Sequence, residues 1–232
     1  MRHNLLNDTV IILCGLLICW SPSVHAFPFI TKEAEMVKLP PARSDGHLSI
    51  ESVLSLRRSV RSYSQQPLSL NDLSQLLWAG QGISSPDNLR TAPSAGALYP
   101  LELYLVAGLT TNLSPGVYRY SPEQHALILI KKSDQRRALS AAALHQESIA
   151  EAPACFVITG VYRRTAKKYG ERARRYVQLE AGHASENILL QAAALKLGTV
   201  VVGAFYDDEV QRVLDLPEDH EPLLVIPVGF PR

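Results

Sequence analysis

The segment Tyr176–Leu197 constrains this chain more than any other. It is rich in Ala and Leu, long enough for one extended helix, and closed by Gly198 as a C-terminal stop. A helix of that length with so much apolar surface needs a packed layer to cover it. Short apolar runs that read as strands lie on both sides: Cys155–Thr159 before it, Thr199–Val202 and Leu223–Val228 after it. Asp207–Leu214 reads as a small helix between the last two.

Upstream, Ser49–Arg61 is expected to be helical, with Ile50, Val53, Leu54 and Leu56 as its apolar positions. A second helix is expected from Ser69, a good N-cap followed three residues on by Asp72. Leu70, Leu73, Leu76 and Leu77 form its apolar face, and Gly80 and Gly82 stop it. Thr91–Pro100 is a loop of small residues and Leu101–Ala107 a strand; Val117–Tyr120 and Ala126–Lys131 flank a hairpin turn. Ser133–Leu144 is predicted as a further helix. A hairpin, interleaved helices and short strands together make an α+β chain rather than a strictly alternating parallel one.

A length of 232 residues suits one packed domain. A net charge of +1, with no basic tract standing out on a polar background, gives no sign of nucleic-acid binding, and none is expected. Cys14, Cys19 and Cys155 build neither a disulfide framework nor a zinc site, and no metal centre is expected. At the N-terminus, Arg2 and His3 precede an apolar run from Val10 to Trp20, then Ser-Pro-Ser-Val-His-Ala ending at Ala26. That pattern reads as a signal peptide over 1–26, and an uncleaved anchor is the alternative. The expectation is an exported chain, periplasmic or secreted, with no stable membrane span after cleavage. Residues 27–47, broken by Pro28, Pro40, Pro41 and Gly46, read as an irregular lead-in to a domain over 48–232.

Four stretches carry candidate chemistry. Arg57, Arg58, Ser59 and Arg61 offer three guanidinium groups and a hydroxyl within five residues, either an anion clamp or a solvated helix end. Read as helix, Arg57 and Arg61 share one face. Pro93-Ser94-Ala95-Gly96-Ala97-Leu98 lets backbone approach a flat ligand, or is simply a tight loop; it is no dinucleotide fingerprint. Lys168-Tyr169-Gly170 is either a proton-transfer pair or part of a solvated basic run. His183 and Glu186 are too few to bind a metal and read, with Gly182 and Asn187, as structural or substrate-facing.

In their order along residues 48–230, these stretches resemble the SagB-type branch of the nitroreductase superfamily. PSAGALYPLELYLV, KYG…RYVQLEAGHASENILLQA and the closing VIPVGFP carry the resemblance. It implies a nitroreductase-like FMN-binding fold, a central, mostly antiparallel sheet flanked by helices. By the same resemblance Arg57, Arg58, Ser59 and Arg61 would hold the FMN phosphate and ribityl chain. Pro93, Ser94, Ala95, Gly96 and Leu98 would lie along the isoalloxazine ring, with Val202 and Gly203 nearby. Lys168 and Tyr169 would be the catalytic pair, deprotonating a small-molecule or modified-peptide substrate as hydride passes to flavin N5. A homodimer with interfacial sites is implied. The basic C-terminal extension of many nitroreductases is not matched beyond Arg232, so a reduced subunit embrace is expected. The alternatives are a nicotinamide-driven nitro or quinone reductase and a non-enzymatic flavin-binding envelope module.

Overall fold

The computed structural model describes residues 35–232, and the expected signal peptide and the first part of the lead-in, 27–34, lie outside them. The strands are β1 (Met36–Lys38), β2 (Leu101–Ala107), β3 (Gly116–Ser121), β4 (Ala126–Lys132), β5 (Ala154–Gly160), β6 (Gly198–Thr199) and β7 (Glu221–Gly229). They form one sheet in the order β1-β4-β3-β2-β5-β7-β6, and every neighbouring pair is antiparallel. The helices are α1 (Ile50–Leu56), α2 (Leu70–Gln81), α3 (Arg136–Ala142), α4 (Glu147–Glu151), α5 (Tyr162–Tyr169), α6 (Ala173–Ala194) and α7 (Asp207–Leu214).

Strand alternation divides the core between the two faces of the sheet. Leu103, Leu105, Phe156 and Ile158 point to one side, where α2 brings Leu73, Leu76 and Leu77 and α6 brings Val177, Ala181, Ala184 and Ile188. Tyr104, Val106, Cys155 and Val157 point to the other, where Leu139 of α3 and Val210 and Leu214 of α7 cover them. All of β5 is buried, which explains its unbroken apolar run: helices cover both faces. Burying a side chain such as Phe156 is worth roughly 2–3 kcal/mol.

Several boundaries differ from expectation, each for a local reason. α1 stops at Leu56, not Arg61, because Arg57 turns extended and the Val60 N–H bonds to the Thr199 carbonyl at 2.8 Å. Arg57 and Arg61 therefore do not share a helix face. α2 runs through Gly80 to its cap at Gly82, and a full capping box of Ser69 and Asp72 opens it. The expected helix over 133–144 is shortened to α3, where Leu144 and His145 both adopt left-handed backbone, and the short α4 follows. α6 begins at Ala173 and ends at Ala194, capped by Leu195, so Gly198 is not its cap but the first residue of β6. Within the lead-in, Met36–Lys38 pairs with β4 as an edge strand, too short to show a period of its own.

Candidate active site

The turn before β2 holds an unusual backbone. Gly96, Ala97 and Tyr99 all lie at positive φ, at 63°, 53° and 45°. For the two residues with a Cβ this costs on the order of 1 kcal/mol or more each and persists only where the surroundings enforce it. They do so here. The Ala95 N–H donates to Glu180 Oε1 at 2.8 Å, and the Tyr99 N–H to Ser94 Oγ at 2.9 Å. Arg164 Nη1 donates to the Tyr99 carbonyl at 3.0 Å, and Arg90 stacks over the Tyr99 ring at 4.6 Å. Asn187 Nδ2 ties Thr91 to α6 at 3.3 Å. The Gly96 N–H has no acceptor among the described residues, so it remains available to a ligand.

Gly96 is also where the predicted catalytic pair converges. A Cβ placed on it would lie 3.0 Å from Lys168 Nζ and 3.0 Å from Tyr169 Oη. Both side chains come from the last turn of α5, which Gly170 ends at φ 55°. Tyr169 packs edge-on against Tyr176 of α6, ring centroids 5.0 Å apart, and Lys168 Nζ lies 5.5 Å from the Tyr169 centroid. The turn and the pair are distant in sequence, and the fold sets them against one another.

Glu180, which sequence reasoning passed over, fixes this arrangement. It is 5% exposed, and burial raises the pKa of its carboxyl above the usual range. Its one sequence signal was a carboxylate in the apolar stripe Val177–Ala181–Ala184–Ile188. A mostly apolar cavity of about 310 Å³ opens beside it, lined by Pro93, Ser94, Ala95, Tyr176, Leu179 and His183 together with Glu180. His183 thus faces this cavity, whereas Glu186 pairs with Arg57 at 3.8 Å.

The arginine segment meets the same helix elsewhere, through Glu186. Arg58 folds back onto the carbonyls of Ser55 and Arg57, at 2.9 and 2.7 Å. Ser59 bridges to Thr199, and Arg61 is exposed. Arg57, Arg58, Lys196 and Thr199 line a cavity of about 240 Å³. Val202 pairs with Val225, and Gly203 is open to solvent. Six residues separate Glu180 from Glu186, about 9 Å along α6 and about 120° around it. One chain therefore presents the Pro93–Gly96 turn and the arginine segment on different faces. Leu98 lines neither of these cavities but a third, with Arg90, Arg119 and Arg164. No cluster able to hold a metal occurs among the described residues.

Residues 54–230 match the Nitroreductase family. The chain belongs to the nitroreductase family. It is 44% identical over 182 residues to a Methanocaldococcus jannaschii protein named as a nitroreductase, covering 78% of this chain and 91% of that one. A Ralstonia eutropha protein, its crystal structure described as that of a nitroreductase, superposes with a TM-score of 0.75 at 31% identity, covering 85% of this chain and 90% of its own. The Escherichia coli microcin synthetase McbBCD complex with truncated pro-MccB17 contains a chain that superposes with a TM-score of 0.66 at 25% identity, covering 90% and 84%. This nitroreductase is thus an α+β oxidoreductase, and its antiparallel sheet flanked by helices is the expected fold.

Proposed function

We propose that this chain is an FMN-dependent oxidoreductase of SagB type, moving hydride between flavin and a small-molecule or modified-peptide substrate, with Lys168 and Tyr169 transferring the proton. The observation that carries this reading is the convergence of Lys168 Nζ and Tyr169 Oη on the bare Cα of Gly96. The turn suits a flat cofactor: Gly96 adds no side chain above it, and its N–H is an unspent donor. FMN, when bound, supplies the hydride chemistry.

The chain's own residues do the rest. Pro93, Ser94, Ala95 and Gly96 shape the surface for the ring, and Glu180 holds that surface by the Ala95 N–H. Arg57, Arg58, Ser59 and Arg61 supply the cations and hydroxyl suited to a phosphate, and Val202 and Gly203 would pass near the ring. Lys168 takes a proton from the substrate carbon, and the Tyr169 hydroxyl beside it holds or relays that proton. The separation of turn and arginine segment around α6 supports a homodimer in which two chains complete each site. The bound peptide precursor of the McbBCD structure supports a peptide among the substrate classes. The signal-like residues 1–26 support export, for which the N-terminus of the mature protein, read by mass spectrometry, is the check.

Anaerobic mixing of the flavin-loaded protein with a small thiazoline tests the mechanism. Bleaching of the yellow absorbance is expected, and Lys168→Ala should stop it while keeping the flavin. A second reading, a nicotinamide-driven nitroreductase, is favoured by the 44% identity to the Methanocaldococcus protein. Bleaching by reduced nicotinamide dinucleotide alone, equal in Lys168→Ala, would select it.

A further inference from the structure

The cavity of about 430 Å³ that shares Leu98 and Tyr99 with the turn contains neither Gly96 nor the Lys168–Tyr169 pair. Its size is that of a small-molecule site. Three guanidinium groups reach it from three separate elements: Arg90 from the loop before the turn, Arg119 from β3 and Arg164 from α5. Two carboxylates answer them, and they are not equivalent. Glu102, its side chain 11% exposed, sits inside and takes Arg164 on Oε1 and, at 3.6 Å, Arg119 on Oε2. Glu123, 65% exposed, pairs with Arg90 from the water side. The interior therefore gathers three cations around one shielded anion, which favours a second anion from solution.

The three arginines are not equally committed. Arg90 is spent on Gln81 Oε1 at 2.9 Å, on Glu123 and on the Tyr99 ring. Arg164 is spent on Glu102 and on the Tyr99 carbonyl. Arg119 makes only its long contact to Glu102, and no hydrogen bond from its side chain exists among the described residues. Its planar fork is free to grip a carboxylate through two parallel N–H bonds. Leu98, half-buried, adds an apolar contact beside the charges.

We propose that this cavity binds an organic carboxylate, held by Arg119 with Arg164 behind it, with its organic body against Leu98. The site stands apart from the flavin reading, since it needs no flavin to be occupied. It also adjoins the catalytic elements: Arg164 lies about one helical turn before Lys168 on α5. The carboxylate is either part of the substrate or a separate organic acid that acts on the same turn.

Benzoate is the probe, titrated calorimetrically into the purified full chain at low salt. One equivalent is expected to bind at millimolar concentration or below, more weakly as salt rises. Arg119→Gln should weaken binding roughly tenfold or more, the loss of a charge-assisted pair. Ser121→Asp, which adds a carboxylate to the cavity wall and removes no ion pair, should do the same, so the test does not rest on one variant's stability. Arg163→Gln, outside the cavity, should bind as the wild type does. In turnover, benzoate raising KM alone marks the substrate's own carboxylate, and a changed kcat marks an effector; either supports the site. No heat at several millimolar benzoate, or equal binding by all variants, would overturn it.

Discussion

At Gly96 two demands coincide, a left-handed backbone and the close approach of Lys168 and Tyr169, and Glu180 makes the first of them affordable by accepting the Ala95 N–H. Removing that acceptor strands a partly buried donor, so Glu180→Ala should lower stability by about 1–3 kcal/mol in urea melts, while Glu180→Gln, which still accepts, should cost little. The two variants also separate charge from hydrogen bonding. Burial raises the pKa of the Glu180 carboxyl in the folded protein, so the folded state binds the proton more tightly than the unfolded one. Its contribution is therefore fully present below the ordinary carboxylate range and is lost as pH rises through the raised pKa. Stability measured against pH should fall across that window in the wild type relative to Glu180→Gln; parallel profiles would contradict the assignment.

Among the elements, α6 organises the site: Tyr176 meets Tyr169, Glu180 and Asn187 hold the turn, and Glu186 meets Arg57 on another face. The segment after α1 leaves the helix to run beside β6, and it can do so because residue 198 is glycine. A Cβ there would lie 2.7 Å from Val60 Cβ. Gly198→Ala should push Arg57–Val60 off the sheet edge, lowering stability by about 1–3 kcal/mol and loosening retained flavin, read by thermal melts and by dialysis. These elements also show what was legible in advance. The apolar runs of β2, β5, α2 and α6 announced themselves, as did the small-residue turn and the Lys-Tyr pair. α5 did not, because Thr165 is its one buried residue and it shows no apolar period. The true end of α1 was hidden because the bond from Val60 to Thr199 joins residues far apart in sequence. The charged cavity was hidden likewise, since its arginines are scattered along the chain.

For the whole molecule, helices on both faces of the antiparallel sheet bury its centre and leave one conspicuous apolar edge: Leu48, Ile50, Leu54 and Leu56, each at least 43% exposed, beside the arginine segment. Such a patch suits a subunit interface. Sedimentation should show a dimer, and pairing Ile50→Asp with Leu54→Asp should give monomers that lose flavin, whereas monomers with flavin fully retained would place the whole site in one chain. The visible spectrum of the purified chain, with the acid-released chromophore identified by mass, decides whether the turn at Gly96 serves a bound flavin. A yellow protein that releases FMN is expected. A colourless protein that takes up no added FMN would contradict it.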